Sequence, residues 1–364
     1  ATTASPRGAA PALDRPAFAR LHARLSGPGG YFDTDNLISN EASYLHVLGA
    51  LEELGVRGGA YLGVGPGQNF AYIAAIRPRI AFIVDIRRDN ALEHLMFKAL
   101  FESAPTRVEY LGLLLGRAPP TDPGAWHDAP VDEILQEMDV AADPAAAQRA
   151  RTVVDSAVVT FGISLSAEDR ATIRRFHDEF IAGGLALRFR SFGRAPRPYY
   201  PTLRQLLQET DLSGRPRSCL ARREDYLFLR DMQRRNLVVP VVGDLAGEHA
   251  LPAVAEELRA RGEVVSALYV SNVEFYLFGQ GTFSRFADNV GTLPVGPGSV
   301  LIRSVFPGRS GVHPHAVPGY YSTQSLQTLR SFTDAAHDDP YRSYRDLVTR
   351  DALDPREPGA LVRE

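Results

Sequence analysis

Gly63-Val64-Gly65-Pro66-Gly67 is the segment that most constrains this chain. Three glycines in five positions follow a short apolar run, residues 60–62, and precede a helix-like pattern that starts at Asn69 and continues through Phe70, Ile73, Ala74 and Ile76. A bend this tight needs positive φ or close backbone approach, which glycine permits because it has no Cβ. Residues 80–84, Ile-Ala-Phe-Ile-Val, are apolar without interruption, as expected of a parallel strand covered on both faces. Asp85 closes that strand 18 residues after Gly67, and Asp89-Asn90 opens a second helix through Leu92, Leu95, Leu100 and Phe101. The unit reads strand, glycine turn, helix, strand, acid. A helix beginning at the turn aims N–H groups and a positive dipole end at whatever sits there. An acid about 20 residues on is placed to accept hydrogen bonds from ribose hydroxyls.

The same alternation returns late in the chain. Residues 237–242 read as a strand ending in Gly243-Asp244, and residues 248–261 as an amphipathic helix. Residues 264–270 read as a strand ending in Ser271-Asn272, and residues 298–306 contain another. Between the two stretches the rhythm breaks into helical patterns. The expected fold is therefore α/β: a Rossmann-like three-layer sandwich with a mostly parallel sheet and a helical insertion. The expected divisions are an N-terminal tail and helical cap over 1–55, the first half of the core over 56–104, the insertion over 105–235, the second half of the core over 236–336 and a C-terminal tail over 337–364. Within these, residues 1–14 read as an extended tail, Ser39-Asn40-Glu41 as a helix start, and residues 323–336 as a helix.

Composition excludes several classes. Cys219 is the only cysteine among 364 residues, so an internal disulfide or a cysteine-cluster metal site is impossible. Lys98 is the only lysine among 40 Lys+Arg; no Gly-Lys-Ser/Thr sequence exists, and amine-based catalysis would fall on Lys98 alone. A net charge of −3 supplies no field for nucleic acid, and none is expected as a partner. No apolar run reaches the roughly 18–20 residues of a membrane span. A cytoplasmic protein is expected, with an exported mature form also compatible with the start at Ala1. His313-Pro314-His315 and His337-Asp338-Asp339 contain metal-ligand residue types, but no spacing rule unites the two clusters and no metal is expected.

Gly63-Val64-Gly65-Pro66-Gly67 followed by Val84-Asp85 resembles motif I and the acidic loop of class I S-adenosylmethionine-dependent methyltransferases, whose glycine pattern is G-x-G-x-G. Residues 61–90 also resemble an uncharacterised bacterial family with a methyltransferase-like Rossmann core. The resemblance implies an adenosyl ligand over Gly63, Gly65, Gly67, Gln68 and Asn69, with Asp85 on the ribose. Two departures stand out: Tyr61 occupies the position where those enzymes carry Asp or Glu, and the Asn/Asp-Pro-Pro-Tyr signature of amino-group methylators is absent.

Ligands of open α/β sheets bind at the carboxyl ends of strands. There, Asp244 is expected to receive an amino or purine group, Asn272 to orient an acceptor and Glu274 to act as general base. Three readings stay open: an S-adenosylmethionine-binding protein acting as a small-molecule methyltransferase; a non-catalytic scaffold or accessory subunit of a larger assembly that retains the fold; and an NADP-linked enzyme using Arg87 and Arg88 on a phosphate. The expected partner is accordingly a small-molecule ligand or a protein complex.

Overall fold

A computed structural model describes residues 10–195, 197–308 and 311–359. The sheet is built from β1 (Ala60–Gly63), β2 (Ile80–Asp85), β3 (Val238–Val242), β4 (Val265–Tyr269), β5 (Val295–Val305) and β6 (Thr323–Thr328). Its order is β3-β2-β1-β4-β5-β6; all neighbours are parallel except β5 and β6. β1, β3 and β4 are buried at every position, which explains their apolar sequences; the one polar residue, Ser266 in β4, donates its hydroxyl to the Gly58 carbonyl. The architecture is the α/β, Rossmann-like sandwich that the alternating pattern predicts.

α1 (Arg15–Leu25) and α2 (Leu48–Glu53) precede the sheet, and α3 (Asn69–Ile76) and α4 (Arg88–Ser103) belong to the first core unit. The insertion holds α5 (Arg107–Leu115), α6 (Val131–Glu137), α7 (Pro144–Val158), α8 (Ala167–Gly183), α9 (Leu203–Gln208) and α10 (Arg223–Arg234). α11 (Ala250–Arg261), α12 (Val273–Gln280) and α13 (Phe283–Gly291) follow, then α14 (Leu329–Asp338) and α15 (Tyr344–Thr349). α4 packs on β2 and β3, and α7, α8 and α10 cover its other sides. That double coverage buries α4 from Asn90 to Phe101, polar residues included.

Three local expectations fail. Residues 323–328 are a strand, not the start of a helix: Gln324, Ser325 and Gln327 are buried, and the Gln324 and Gln327 amides find partners in Ser304 and Arg303 across the sheet rather than in solvent. The helix there begins only at Leu329, where the Thr328 side chain caps it. Ser39-Asn40-Glu41 does not start a helix; residues 42–47 are turns and α2 begins at Leu48. Residues 337–359 of the expected C-terminal tail are not simply a tail, because α15 buries Leu347 and Val348, and Leu353 pairs with Leu326 of β6, while residues 360–364 lie outside the described residues. Of the expected N-terminal tail, residues 1–9 lie outside the described residues, whereas Leu13 donates its N–H to the Arg235 carbonyl.

Lys98 lies in the core, 1% exposed, and bridges α4 to its surroundings. Its ammonium donates to the Gln233 carbonyl, pairs with Glu102 at 2.7 Å and faces the rings of Phe18 and Phe161. It is a structural cation, not a catalytic amine. Burial pushes its pKa down to about 8 despite Glu102. Between pH 8 and 10.5 the unfolded chain therefore holds a proton that the native chain has released, and stability rises with pH. Urea unfolding of wild type and Lys98→Met at pH 7.5 and 10 should show wild type gaining stability relative to the variant as pH rises; parallel profiles would refute this.

Candidate functional site

The crossover from β1 through α3 runs to β2, whereas β4 lies on the other side of β1. The carboxyl ends of β1 and β4 thus form the crevice at which ligands of open α/β sheets bind. A cleft of about 1040 Å³, open to solvent, occupies this place. Gly65 and Gln68 after β1, Asp85 and Arg87 after β2, Asp244 after β3, and Ser271 and Asn272 after β4 all line it.

The glycine turn is closed from within. Nδ2 of Asn69 lies 2.7–3.2 Å from the carbonyl oxygens of Val64, Gly65 and Pro66. The Tyr61 hydroxyl donates to Asn69 Oδ1 at 2.8 Å. Nε2 of buried His94 lies 2.9 Å from the Gly65 carbonyl, and burial lowers its pKa to about 4, so the neutral ring donates its N–H there. The glycines have different duties. A Cβ on Gly63 would lie 2.0 Å from Asn69 Oδ1, and Gly65 has φ +79°. Gly67 has neither restriction; a Cβ there would meet Phe70 and Phe97 at 3.6–3.7 Å, an ordinary contact.

The segment between α1 and α2 crosses the sheet edge and walls the cleft. Gly27 N–H donates to the Val242 carbonyl, and Gly30 N–H to the Ile86 carbonyl. Arg87 locks it further, donating to the carbonyls of Thr34 and Asp35 at 3.1 and 2.6 Å. The same guanidinium holds Asp85: Nε reaches Oδ1 at 3.1 Å and Nη2 reaches Oδ2 at 3.0 Å. Arg88 instead pairs with Asp169 at the start of α8. Both arginines proposed for a phosphate are thus already committed to carboxylates.

Beside Gln68 lies Glu41, only 1% exposed. Its carboxylate accepts from the hydroxyls of Tyr269 and Ser271 and from Gln324 Nε2 at 3.2 Å. Gln68 Nε2 donates to the Tyr269 hydroxyl at 3.1 Å, and Gln68 Oε1 is buried without a partner. Burial, reinforced by the charge of Glu41, pushes the Tyr269 hydroxyl well above the usual phenol range, so it stays protonated. Among the described residues no cation pairs with Glu41, although a buried carboxylate is costly without compensation. Ser271 has φ +53°, a strained conformation for a residue with a Cβ, and it presents its hydroxyl to Glu41. Asn36, also at φ +53°, lines the cleft as well. The cleft carries three carboxylates, Glu41, Asp85 and Asp244, against the single guanidinium of Arg87.

Of the residues expected at the site, Gly65, Gln68, Asp85, Asp244 and Asn272 line the cleft. Gly63 and Asn69 do not; they form the turn's interior. Gly67 does not either, and faces a separate apolar cavity of about 610 Å³ between α3, α4, α5 and α9. Cys219 borders that cavity, with burial pushing its thiol up to about 12. Glu274 is the clear correction. It is buried away from the cleft in an ion pair with Arg303, which also donates to Gln327 Oε1 at 2.8 Å. A carboxylate so tied cannot serve as a base for a ligand at Asn272. Asp244 accepts the Ala246 N–H through Oδ1. The Tyr61 ring that replaces an acid is wholly buried. Glu41, Tyr269, Ser271 and Gln324 are the cleft's polar floor, and only the polar Glu41 and Ser271 beside apolar runs hinted at it.

His313 Nε2 lies 2.8 Å from the Val348 carbonyl, beside the ring of His315, while His337 ends α14. Among the described residues no group of three or more His, Cys, Asp or Glu is placed to hold a metal ion. Among them, too, no helix is long and apolar enough to cross a membrane.

Fold and cleft define a Rossmann-like α/β protein with a ligand-sized crevice at the switch point of its sheet. The chain belongs to the family described as Domain of unknown function (DUF7790), whose model matches residues 37–118 and 170–361, about three quarters of its length. Every strand lies inside the matched segments. No curated protein matches the chain.

Gly63→Ala should displace Asn69 from the three carbonyls and destabilise the protein by roughly 1–3 kcal/mol, the usual cost of overpacking. Gly67→Ala should cost under about 1 kcal/mol, since its Cβ meets no close atom. Chemical denaturation of the two variants distinguishes them; equal losses would contradict the division of duties among the glycines.

Proposed function

We propose that this protein binds S-adenosylmethionine in the cleft above Gly65 and acts as a small-molecule methyltransferase. The observation that carries the reading is the buried carboxylate of Glu41, which pairs with no cation among the described residues, in a crevice lined by Gly65, Asp85 and Asp244. Such a site favours a ligand that brings positive charge and N–H donors, and disfavours one that brings phosphates. This argues for a sulfonium and amino group over NADP, whose phosphate would meet arginines already paired with Asp85 and Asp169.

Asp85 suits a diol despite its partner. A carboxylate offers about four acceptor positions, and Arg87 and the Arg87 N–H use three. The guanidinium fixes the carboxylate orientation and leaves Oδ2 room for a ribose hydroxyl. Gln68 Oε1 is available to a ligand N–H. Glu41, supplied from the segment before β1, provides the negative charge that Tyr61 cannot. When bound, the cofactor supplies a methyl group that passes to an acceptor lone pair as the carbon–sulfur pair returns to sulfur, leaving a neutral thioether. The chain's part is to hold both partners in near-attack geometry, with Asn272 at the acceptor side and the walls limiting water.

The commitment of Asp85 to Arg87, with Tyr61 in the acid's place, favours a second reading: an accessory subunit that keeps the fold without the ligand. Calorimetric titration with S-adenosylmethionine and S-adenosylhomocysteine separates the two. Saturable binding of both is expected, weakened about tenfold by Glu41→Gln, which corresponds to roughly 1.4 kcal/mol. No heat and no thermal shift at millimolar S-adenosylhomocysteine would leave the accessory reading.

A further inference from the structure

A second cavity adjoins the cleft and has the opposite character. This groove, of about 1080 Å³, shares Asn40, Asn272 and Tyr276 with the cleft, so the two spaces meet at the proposed acceptor side. Its walls are aromatic. On one side Tyr199 stacks on Tyr321, centroids 3.8 Å apart, and Phe306 approaches Tyr321 at 5.8 Å. On the other, Phe275 meets Tyr276 at 5.5 Å and Tyr344 at 5.3 Å. Phe275 is 53% exposed and Tyr276 and Tyr199 more than a third, an apolar patch of the kind that marks a binding site. Among the described residues Arg197 is the one charged residue lining the groove. It donates to the Tyr199 hydroxyl at 2.8 Å, and among the described residues no carboxylate pairs with it.

We infer that the groove binds a planar aromatic acid, its ring between the two aromatic walls and its anionic group on Arg197. Flat rings gain face and edge contacts from such walls that a puckered aliphatic ring does not. The Arg197 guanidinium, with no carboxylate partner among the described residues, selects a negative group, whereas the neighbouring cleft, rich in carboxylates, repels one and keeps the acid out of the adenosyl position. Because Asn272 and Tyr276 border both spaces, the ring's inner edge faces the cleft. Its role as methyl acceptor rests on the S-adenosylmethionine reading; its binding does not.

The test titrates the full chain with 2-naphthoate, its neutral analogue naphthalene-2-methanol and cyclohexanecarboxylate, with and without saturating S-adenosylhomocysteine. Saturable 2-naphthoate binding is expected, at least about tenfold tighter than cyclohexanecarboxylate. Arg197→Gln, at an exposed position, should weaken 2-naphthoate about fivefold and leave naphthalene-2-methanol unchanged. Phe275→Ala should weaken both aromatic probes. Absence of saturable 2-naphthoate binding, indifference to Arg197→Gln, equal affinity for cyclohexanecarboxylate, or competition between 2-naphthoate and S-adenosylhomocysteine would each overturn the proposal. If S-adenosylhomocysteine alone fails to bind, the methyltransferase reading falls while the aromatic-acid site stands.

Discussion

One amide side chain organises the centre of this protein. Asn69 takes the hydroxyl of Tyr61 on its oxygen and spans three successive carbonyls with its nitrogen, so the turn after β1 is fixed by its own chain before any ligand arrives. Gly63 has no Cβ because Asn69 fills that space. His94, kept neutral by burial, holds the Gly65 carbonyl from behind. The bend can therefore present Gly65 and Gln68 to the cleft with little conformational freedom left to lose on binding, which is the physical content of preorganisation. Tyr61, which departs from the methyltransferase pattern, has a structural reason: it is the donor that orients Asn69.

A second fixture, Arg87, joins the sheet to the cleft's wall. Its guanidinium engages Asp85 at the end of β2 and two carbonyls of the segment between α1 and α2. Buried arginine is suited to this because its planar fork offers several donors in fixed directions. The wall is held by ion pairs farther out as well, Asp35 with Arg175 and Asp33 with Arg194, both to the insertion. The insertion is thus more than a cover for α4. It steadies the segment that encloses the ligand space, and Phe189 within it lines the cleft directly.

Much of this was legible in the sequence, and the limits have physical causes. β1, β2, β3 and β4 announce themselves because parallel strands buried on both faces can hardly be built from anything but apolar residues. The glycine turn is legible because its geometry excludes most side chains. β6 was hidden because Thr323-Gln324-Ser325-Leu326-Gln327 buries polar groups whose partners, Arg303, Ser304 and Glu41, lie far off in sequence. Long-range polar pairing leaves no periodic signature. Glu274 misled for the same reason: its position after β4 suggests the cleft, but Arg303 in β5 draws its carboxylate into the sheet's flank. Asp85 and Asn272 line the cleft because a strand end fixes a residue's location, whereas Asn69, turned into the bend, shows that proximity to a turn does not decide which way a side chain faces.

The division of charge across the two cavities follows from these placements. Glu41 is buried in the lining of the crevice between β1 and β4, and two hydroxyls and one amide lower its cost without neutralising it. Hydrogen bonds from neutral donors stabilise a carboxylate but leave its charge in place, and the field of a buried group is screened less than that of an exposed one. Arg197 stands in the open, where water screens it and a single contact gives orientation more than affinity. The strong field therefore acts on whatever enters the cleft and the weak one on whatever lies in the groove. Asn272, uncharged and common to both, sits at the boundary between the acidic cleft and the groove that carries Arg197.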